Sequence, residues 1–126
     1  MSDSSLRTAC LDRFLHYVTF DTQADENSET YPSTPKQLEL LKHLLKELKE
    51  IGLKDAAMDE HGYVFATIPA TTKKANVPVI GFIAHVDTSP EMPGAGVKPI
   101  IHKNYQGQDL VLPDDPKPVL KFKDNP

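Results

Sequence analysis

Two stretches near the start of the chain carry apolar residues at intervals of three and four, the period of an amphipathic helix. The first covers residues 6–18, and the hydroxyls of Ser4 and Ser5 precede it as candidate capping groups. The same spacing places Cys10 on the inward face, as a small core residue. The first stretch is therefore predicted to be a helix that packs on the core.

The second helix is predicted at both of its ends. Residues 34–37 read Thr-Pro-Lys-Gln, which is a capping box with proline at the first helical position. Apolar residues then recur on one face up to Ile51. Gly52 fits the left-handed position that ends a helix, and Leu53 follows it, so that the pattern favours a Schellman turn.

Strand signals follow the helices. Residues 54–59 and 63–68, separated by His61-Gly62, predict a β-hairpin. Residues 77–84 are almost continuously apolar, which is typical of a central strand covered on both faces in an α/β sheet. The predicted fold is therefore α/β, with two N-terminal helices packed on a mixed β-sheet. Further short strands are predicted at 100–102, 110–112 and 119–122.

Composition narrows the classes of function. The 126 residues suit one domain, and 39% hydrophobic and 25% charged residues are typical of a globular chain. A net charge of −4 argues against nucleic acid and against an anionic membrane as partners, and no apolar run is long enough to span a bilayer. A single cysteine and a start unlike a signal peptide lead us to expect the cytoplasm.

The candidate chemistry lies where the predicted central strand ends. Ligands of open α/β sheets bind beyond the carboxyl ends of strands, and His85 and Asp87 stand there at i and i+2. In an extended chain these two side chains share one face. A metal-bound imidazole usually donates its other N–H to a carboxylate, which orients the ligand. The pair therefore fits a metal ligand with its orienting carboxylate, or a hydrogen-bonded structural histidine at a strand end.

The remaining histidines and the helical glutamates are assigned no catalytic role. His16 and His43 lie within helical stretches and are interpreted as structural, while His61 belongs to a turn and His102 has no nearby carboxylate in sequence. Glu47 lies among lysines and is interpreted as part of a solvated helix face.

The residues around this pair resemble a known family. The run 81–90, Gly-Phe-Ile-Ala-His-Val-Asp-Thr-Ser-Pro, is similar to the first metal motif of the peptidase T family, the tripeptide aminopeptidases among the co-catalytic zinc exopeptidases. Asp21-Thr22-Gln23, residues 32–34, the leucine-rich second helix and residues 104–109 also resemble that family. The resemblance covers nearly the whole chain. Thr88-Ser89-Pro90 favours the tripeptidase branch over related acylases and carboxypeptidases.

The resemblance implies a role for each member of the pair. His85 is expected to ligate one of two zinc ions, and Asp87 to act at the catalytic site by orienting His85. The other ligands and the glutamate base of the family lie in motifs beyond Pro126, so residues 1–126 are expected to be the N-terminal part of a catalytic domain. The isolated chain is accordingly expected to be inactive.

The resemblance also implies the substrate class, and two alternative functions stay open. The complete enzyme is expected to release the N-terminal residue of small peptides, and its oligomeric state stays open. One alternative is a non-catalytic α/β binding module that keeps the peptidase scaffold. Another is a related zinc amidohydrolase with a different substrate.

Overall fold

The computed structural model describes residues 3–113 and 115–124, and it combines helices and strands as expected of an α/β chain. The class predicted from the sequence is confirmed. The elements are α1 (Asp3–Tyr17), α2 (Gln37–Glu50), β1 (Ala57–Met58), β2 (Val64–Phe65), β3 (Leu110–Leu112), β4 (Asp115–Leu120) and a 3-10 helix (Phe122–Asp124).

Helix α1 forms where the apolar period predicts it, but it buries little of its apolar side. It begins at Asp3, so that the two serines lie in its first turn and not before it. The expected inward position of Cys10 is wrong, because this thiol is exposed, as are Leu11 and Phe14. The face that contacts α2 is the neighbouring one, which carries Arg13 and Tyr17. Polar contacts from this face therefore attach α1 to α2, together with a ring contact between His16 and His43.

The start of α2 differs from the predicted capping box. The helix begins at Gln37, after a tighter turn in which the Gln37 amide donates to the Thr34 carbonyl at 3.2 Å. The Thr34 hydroxyl does not cap the helix, because it donates to the Gln23 carbonyl at 2.8 Å. The Gln37 side chain in turn donates to that hydroxyl at 3.1 Å. This threonine therefore ties the preceding loop to the helix.

The end of α2 is the predicted Schellman turn. Gly52 has φ of +105°, which is the left-handed conformation that glycine adopts without a Cβ clash. The Leu53 amide donates to the Leu48 carbonyl at 3.0 Å, and the Gly52 amide donates to the Lys49 carbonyl at 3.1 Å. These two bonds are the pair that defines the motif. The prediction is confirmed.

The predicted hairpin after α2 is confirmed, with shorter strands. Strands β1 and β2 pair antiparallel, with Ala57 opposite Phe65. Asp59 closes the turn, because its carboxylate accepts hydrogen bonds from the amides of His61 at 3.0 Å and Tyr63 at 2.8 Å. The hairpin packs on α2, where Leu41 lies beside Gly62, and the buried apolar residues of the described chain are Leu40, Leu41 and Ala56.

A second antiparallel hairpin lies near the end of the chain. Strand β3 coincides with the predicted strand at 110–112, and β4 covers part of the strand predicted at 119–122. Leu110 pairs with Leu120, and a bulge follows Val111. The strand predicted at 100–102 is wrong, since these residues are exposed and have no strand partner among the described residues.

The central strand expected at 77–84 is absent from the described fold. These residues are exposed and have no strand partner among the described residues, and Val79, Phe82 and Ile83 keep 98%, 96% and 99% of their surface accessible. The physical reason is that neither hairpin lies alongside this segment to accept its backbone hydrogen bonds. The described sheets are thus two separate antiparallel pairs, and parallel pairing is confined to the bridge between Gln23 and Thr88.

Within residues 3–113 and 115–124, neither long helix has the length and apolar character that crossing a bilayer requires.

We expect Gly62→Ala to lower the free energy of unfolding more than Gly52→Ala. Both glycines have positive φ, +89° and +105°, so each alanine incurs a backbone cost of about 1–2 kcal/mol. Only at Gly62 does the new Cβ meet side chains, Leu38 Cδ2 and Leu41 Cδ1 at 3.2 Å, which adds about 1–3 kcal/mol of overpacking. Urea denaturation of both variants measures the difference. Equal losses would show that Leu38 and Leu41 move aside and that their contact with the new Cβ adds no cost.

Candidate metal centre

The structure brings His85 and Asp87 into direct contact, as their i, i+2 spacing predicts. Nδ1 of the imidazole lies 3.0 Å from Oδ1 of the carboxylate. An ionised carboxylate has no hydrogen to donate, so Nδ1 is the donor, and in the neutral imidazole Nε2 then carries the free lone pair. The His85 side chain is 83% exposed and the Asp87 side chain 49%. Nε2 is therefore accessible to a ligand, while the carboxylate fixes the tautomer.

Backbone pairing at Thr88 fixes the position of the chain just after His85 and Asp87. The Thr88 amide donates to the Thr22 carbonyl at 3.0 Å, and the Thr88 carbonyl accepts from the Ala24 amide at 2.9 Å. The Gln23 side chain extends the attachment, since its amide donates to the carbonyls of Pro90 at 2.9 Å and Met92 at 3.0 Å. Residues 21–24 thus hold in place the part of the chain that follows His85 and Asp87.

An ion pair holds this stretch against the start of α2. Lys36 Nζ lies 3.0 Å from the Asp21 carboxylate and 3.2 Å from Gln23 Oε1. The backbone amide of Gln23, followed by Lys36, keeps the pKa of Asp21 below its usual value. Gly94 packs directly against the same carboxylate, because a Cβ there would lie 2.5 Å from Asp21 Oδ1. The polar pattern of this stretch predicts only a loop, and nothing in it signals the positioning role.

The candidate pair lies on the wall of a cavity. The cavity has a volume of about 890 Å³ and is bounded by the faces of α2 and the first hairpin and by residues 82–87. Most of its other lining side chains are apolar, including Leu44, Leu48 and Phe65, and the cavity is open to solvent where it borders Phe82 and Ile83, which are 96% and 99% accessible. The paired imidazole and carboxylate are thus polar groups on a mostly apolar surface, which is the usual composition of a small-molecule site.

A second polar group on the cavity wall joins the two helices. The Glu47 carboxylate accepts from Arg13 Nε at 2.6 Å through Oε1 and from the Tyr17 hydroxyl through Oε2. The hydrogen bond from Tyr17, followed by Arg13, lowers the pKa of Glu47. Burial, followed by the hydrogen bond to Glu47, raises the pKa of Tyr17 to about 12. The interpretation of Glu47 as a solvated residue is therefore wrong.

Within the described residues, no hydrogen bond or ring contact joins the other histidines to His85 or Asp87, and their own contacts differ. His16 and His43 meet edge to face with ring centroids 4.6 Å apart, and Phe20 packs on both. This contact joins α1 to α2. His61 contributes to the wall of the same cavity, whereas His102 is exposed and is not a lining residue.

The donor set fits one position of a metal site. His85 offers an oriented imidazole nitrogen, the arrangement that zinc ligands have in proteins. Within the described residues, no three side chains of His, Cys, Asp or Glu are grouped so that they could hold a metal ion together. The ligand role of His85 and the orienting role of Asp87 accordingly stay predictions.

Comparison with known proteins places this geometry in context. No family model matches the chain. Peptidase T of Clostridium acetobutylicum is 57% identical over 116 residues, which are 92% of this chain and 28% of that protein. Peptidase T of Geobacillus is 50% identical and that of Brevibacillus brevis 49% identical, each over 121 residues, 96% of this chain and 29% of the relative.

This chain is similar to peptidase T proteins over nearly its whole length. The resemblance expected from residues 81–90 is thereby confirmed, and it extends over nearly all of the chain. The chain spans less than a third of the length of the peptidase T proteins that it matches.

We expect Tyr17→Phe to remove the highest-pH component of the tyrosine titration. The pKa of Tyr17 is raised from 10.0 to about 12, so the stability that its protonated form contributes is present below pH 10 and is lost as pH rises toward 12. Ultraviolet absorbance of tyrosinate measures the titration. Tyr63→Phe, on the same cavity wall, is the matched control and leaves the component near pH 12 in place. Persistence of that component in Tyr17→Phe would contradict the assignment.

Proposed function

We propose that this chain is the N-terminal portion of a zinc-dependent tripeptidase that releases the first residue of small peptides. One observation carries the proposal: a chain 57% identical to a peptidase T over 116 residues also pairs His85 with Asp87 at 3.0 Å on a cavity wall. The cytoplasmic location expected from the sequence belongs to the same proposal.

In this proposal each member of the pair has a distinct task. His85 would hold a zinc ion through Nε2, and Asp87 holds Nδ1 so that the lone pair stays on the coordinating nitrogen. Zinc in such sites supplies Lewis-acid activation of the carbonyl and of water. Asp87 acts through His85 and contacts no substrate, so it is a positioning residue.

The cavity suits a short peptide. Its volume of about 890 Å³ lies within the range of about 300–1,000 Å³ that small-molecule sites occupy. Apolar walls from α2 and the hairpin favour uncharged side chains. The Arg13–Glu47–Tyr17 group has both carboxylate oxygens engaged, which leaves Glu47 unsuited to act as a base.

We expect the isolated chain to hydrolyse no tripeptide in the presence of zinc. A catalytic zinc needs about three protein ligands, and the pair provides one. Hydrolysis is measured by release of the free amino acid from an uncharged tripeptide, with zinc added or chelated. Robust zinc-dependent turnover by the chain alone would refute its assignment as a portion of the site.

The pair itself is tested in a longer chain, in which these residues replace the 116 matched residues of the Clostridium acetobutylicum peptidase T. We expect zinc-dependent tripeptidase activity that His85→Ala abolishes. Asp87→Asn should weaken zinc affinity by about 10- to 100-fold, since it removes only the orienting carboxylate. His102→Ala is the control and should behave as the parent. Full activity of His85→Ala, or activity that survives chelation, would overturn the zinc mechanism and favour a non-catalytic or metal-independent function.

A further inference from the structure

The side chain of Gln23 joins two parts of the chain that are far apart in sequence. Its Nε2 donates to the carbonyls of Pro90 at 2.9 Å and Met92 at 3.0 Å. Its Oε1 accepts from Lys36 Nζ at 3.2 Å. The carbonyls can only accept and the ammonium can only donate, so these partners fix which way the carboxamide faces. The nitrogen and the oxygen of this side chain therefore have separate and complementary partners.

One side of this junction is anchored at the start of α2. Thr22 is buried, with 3% of its surface accessible. The Gln23 carbonyl accepts from the Thr34 hydroxyl at 2.8 Å. Lys36, which donates to the Gln23 side chain, occupies the position just before α2. These contacts hold the stretch around Gln23 in place without help from the chain that follows the candidate pair.

The other side of the junction depends on Gln23. In the described part of the chain, four hydrogen bonds join residues 88–92 to residues 22–24, and the Gln23 side chain makes two of the four. The other two are the backbone bonds of Thr88. Thr88 and Met92 are exposed, so burial of these residues adds little to the attachment. An isolated pairing of two strands is only marginally stable in water, so the side-chain bonds supply attachment that the backbone bridge lacks.

We propose that Gln23 is a positioning residue of the candidate metal centre. This inference rests on the proposed function, because it assigns Gln23 a role at the zinc site of the longer enzyme. By bonding to the chain beyond Thr88, its carboxamide keeps the chain after Asp87 attached to residues 22–24 and thereby sets where the His85 imidazole lies. Gln23 does not line the cavity, so it acts through the chain that it holds.

The role of Gln23 differs from that of Asp87. The Asp87 carboxylate lies 3.0 Å from Nδ1 of His85 and sets the tautomer of the ring, and this contact depends only on the local i, i+2 geometry. Gln23 sets the position of the backbone and leaves that contact intact. Loss of either residue weakens zinc binding, but only loss of Asp87 changes which ring nitrogen carries the proton. The two roles are therefore separable by experiment.

The substitution Gln23→Glu tests this role with almost no change of shape. It replaces the two N–H donors by a carboxylate oxygen, which has no hydrogen to offer the carbonyls of Pro90 and Met92. In the longer chain built on the Clostridium acetobutylicum peptidase T, we expect zinc affinity to fall about 10-fold, since two hydrogen bonds are lost. Gln23→Leu removes the donors without adding repulsion, and its zinc affinity should lie between those of Gln23→Glu and the parent.

Three measurements distinguish positioning from a general loss of structure. The amides of Thr88 and Ala24 should exchange with solvent about 10-fold faster in Gln23→Glu than in the parent. Nitrogen NMR of the His85 ring should show the proton still on Nδ1 in Gln23→Glu, and should show that preference lost in Asp87→Asn. Excess zinc should restore hydrolysis in Gln23→Glu, because the ligands are unchanged, and should not restore it in His85→Ala.

Gln108→Glu is the matched control. It makes the same chemical change at an exposed glutamine, whose Oε1 accepts from the Gln106 amide at 2.9 Å, and a carboxylate can still accept that bond. Zinc affinity, amide exchange and hydrolysis should equal those of the parent. Equal losses in Gln108→Glu and Gln23→Glu would show that the added negative charge is the cause, and would overturn the proposal.

The outcomes separate this inference from the proposed function. If the longer chain hydrolyses tripeptides and Gln23→Glu matches it in zinc affinity, the function stands and the positioning role is overturned. If the longer chain folds and binds no zinc, the tripeptidase proposal fails.

In that case, or if the longer chain does not fold, amide exchange in residues 1–126 alone decides whether Gln23 holds the chain after the candidate pair. Faster exchange at Thr88 in Gln23→Glu supports this role, and equal exchange overturns it. Amides of Thr88 and Ala24 that are unprotected in the parent would overturn it as well.

Discussion

The position of the candidate site depends on two backbone hydrogen bonds at a single residue. Thr88 bonds to Thr22 at 3.0 Å and to Ala24 at 2.9 Å. These two bonds form the parallel bridge between Gln23 and Thr88. They link a stretch that precedes α2 to one that follows the first hairpin, across more than sixty residues of sequence. Without them, His85 and Asp87 would keep their mutual contact but would have no fixed place relative to the cavity.

The local parts of the fold were predictable because their signals are local. Gly52 ends α2 since only a left-handed residue completes the Schellman turn, and Asp59 closes the hairpin through bonds to nearby amides. The exposure of residues 77–84 was not predictable in this way. The apolar pattern of these residues is typical of a covered strand, but neither described hairpin lies alongside them to cover them. An apolar pattern indicates that a strand is stable when it is paired and covered, but it does not show whether neighbouring strands are present.

The candidate site was predictable in its chemistry and not in its surroundings. The i, i+2 spacing sufficed to bring His85 and Asp87 together, because it depends only on extended backbone. Glu47 gave no such signal, since its partners Arg13 and Tyr17 lie on another helix. The helical spacing of α1 would have indicated that Arg13 and Tyr17, which are four residues apart, lie on the same face of that helix.

Gly94 restricts how the loop after the candidate pair tolerates change. Any side chain there would strike the Asp21 carboxylate, which Lys36 holds in place, and would crowd the Gln23 amide at 3.2 Å. Residues 21–23 would be displaced, and the displacement would reach Thr88 through its bonds to Thr22 and Ala24. His85 would then be affected by a change at Gly94, which lies at a distance from it in sequence. A mutation in this loop that looks harmless would therefore be expected to displace the chain at His85 and Asp87 while leaving both of these side chains unaltered.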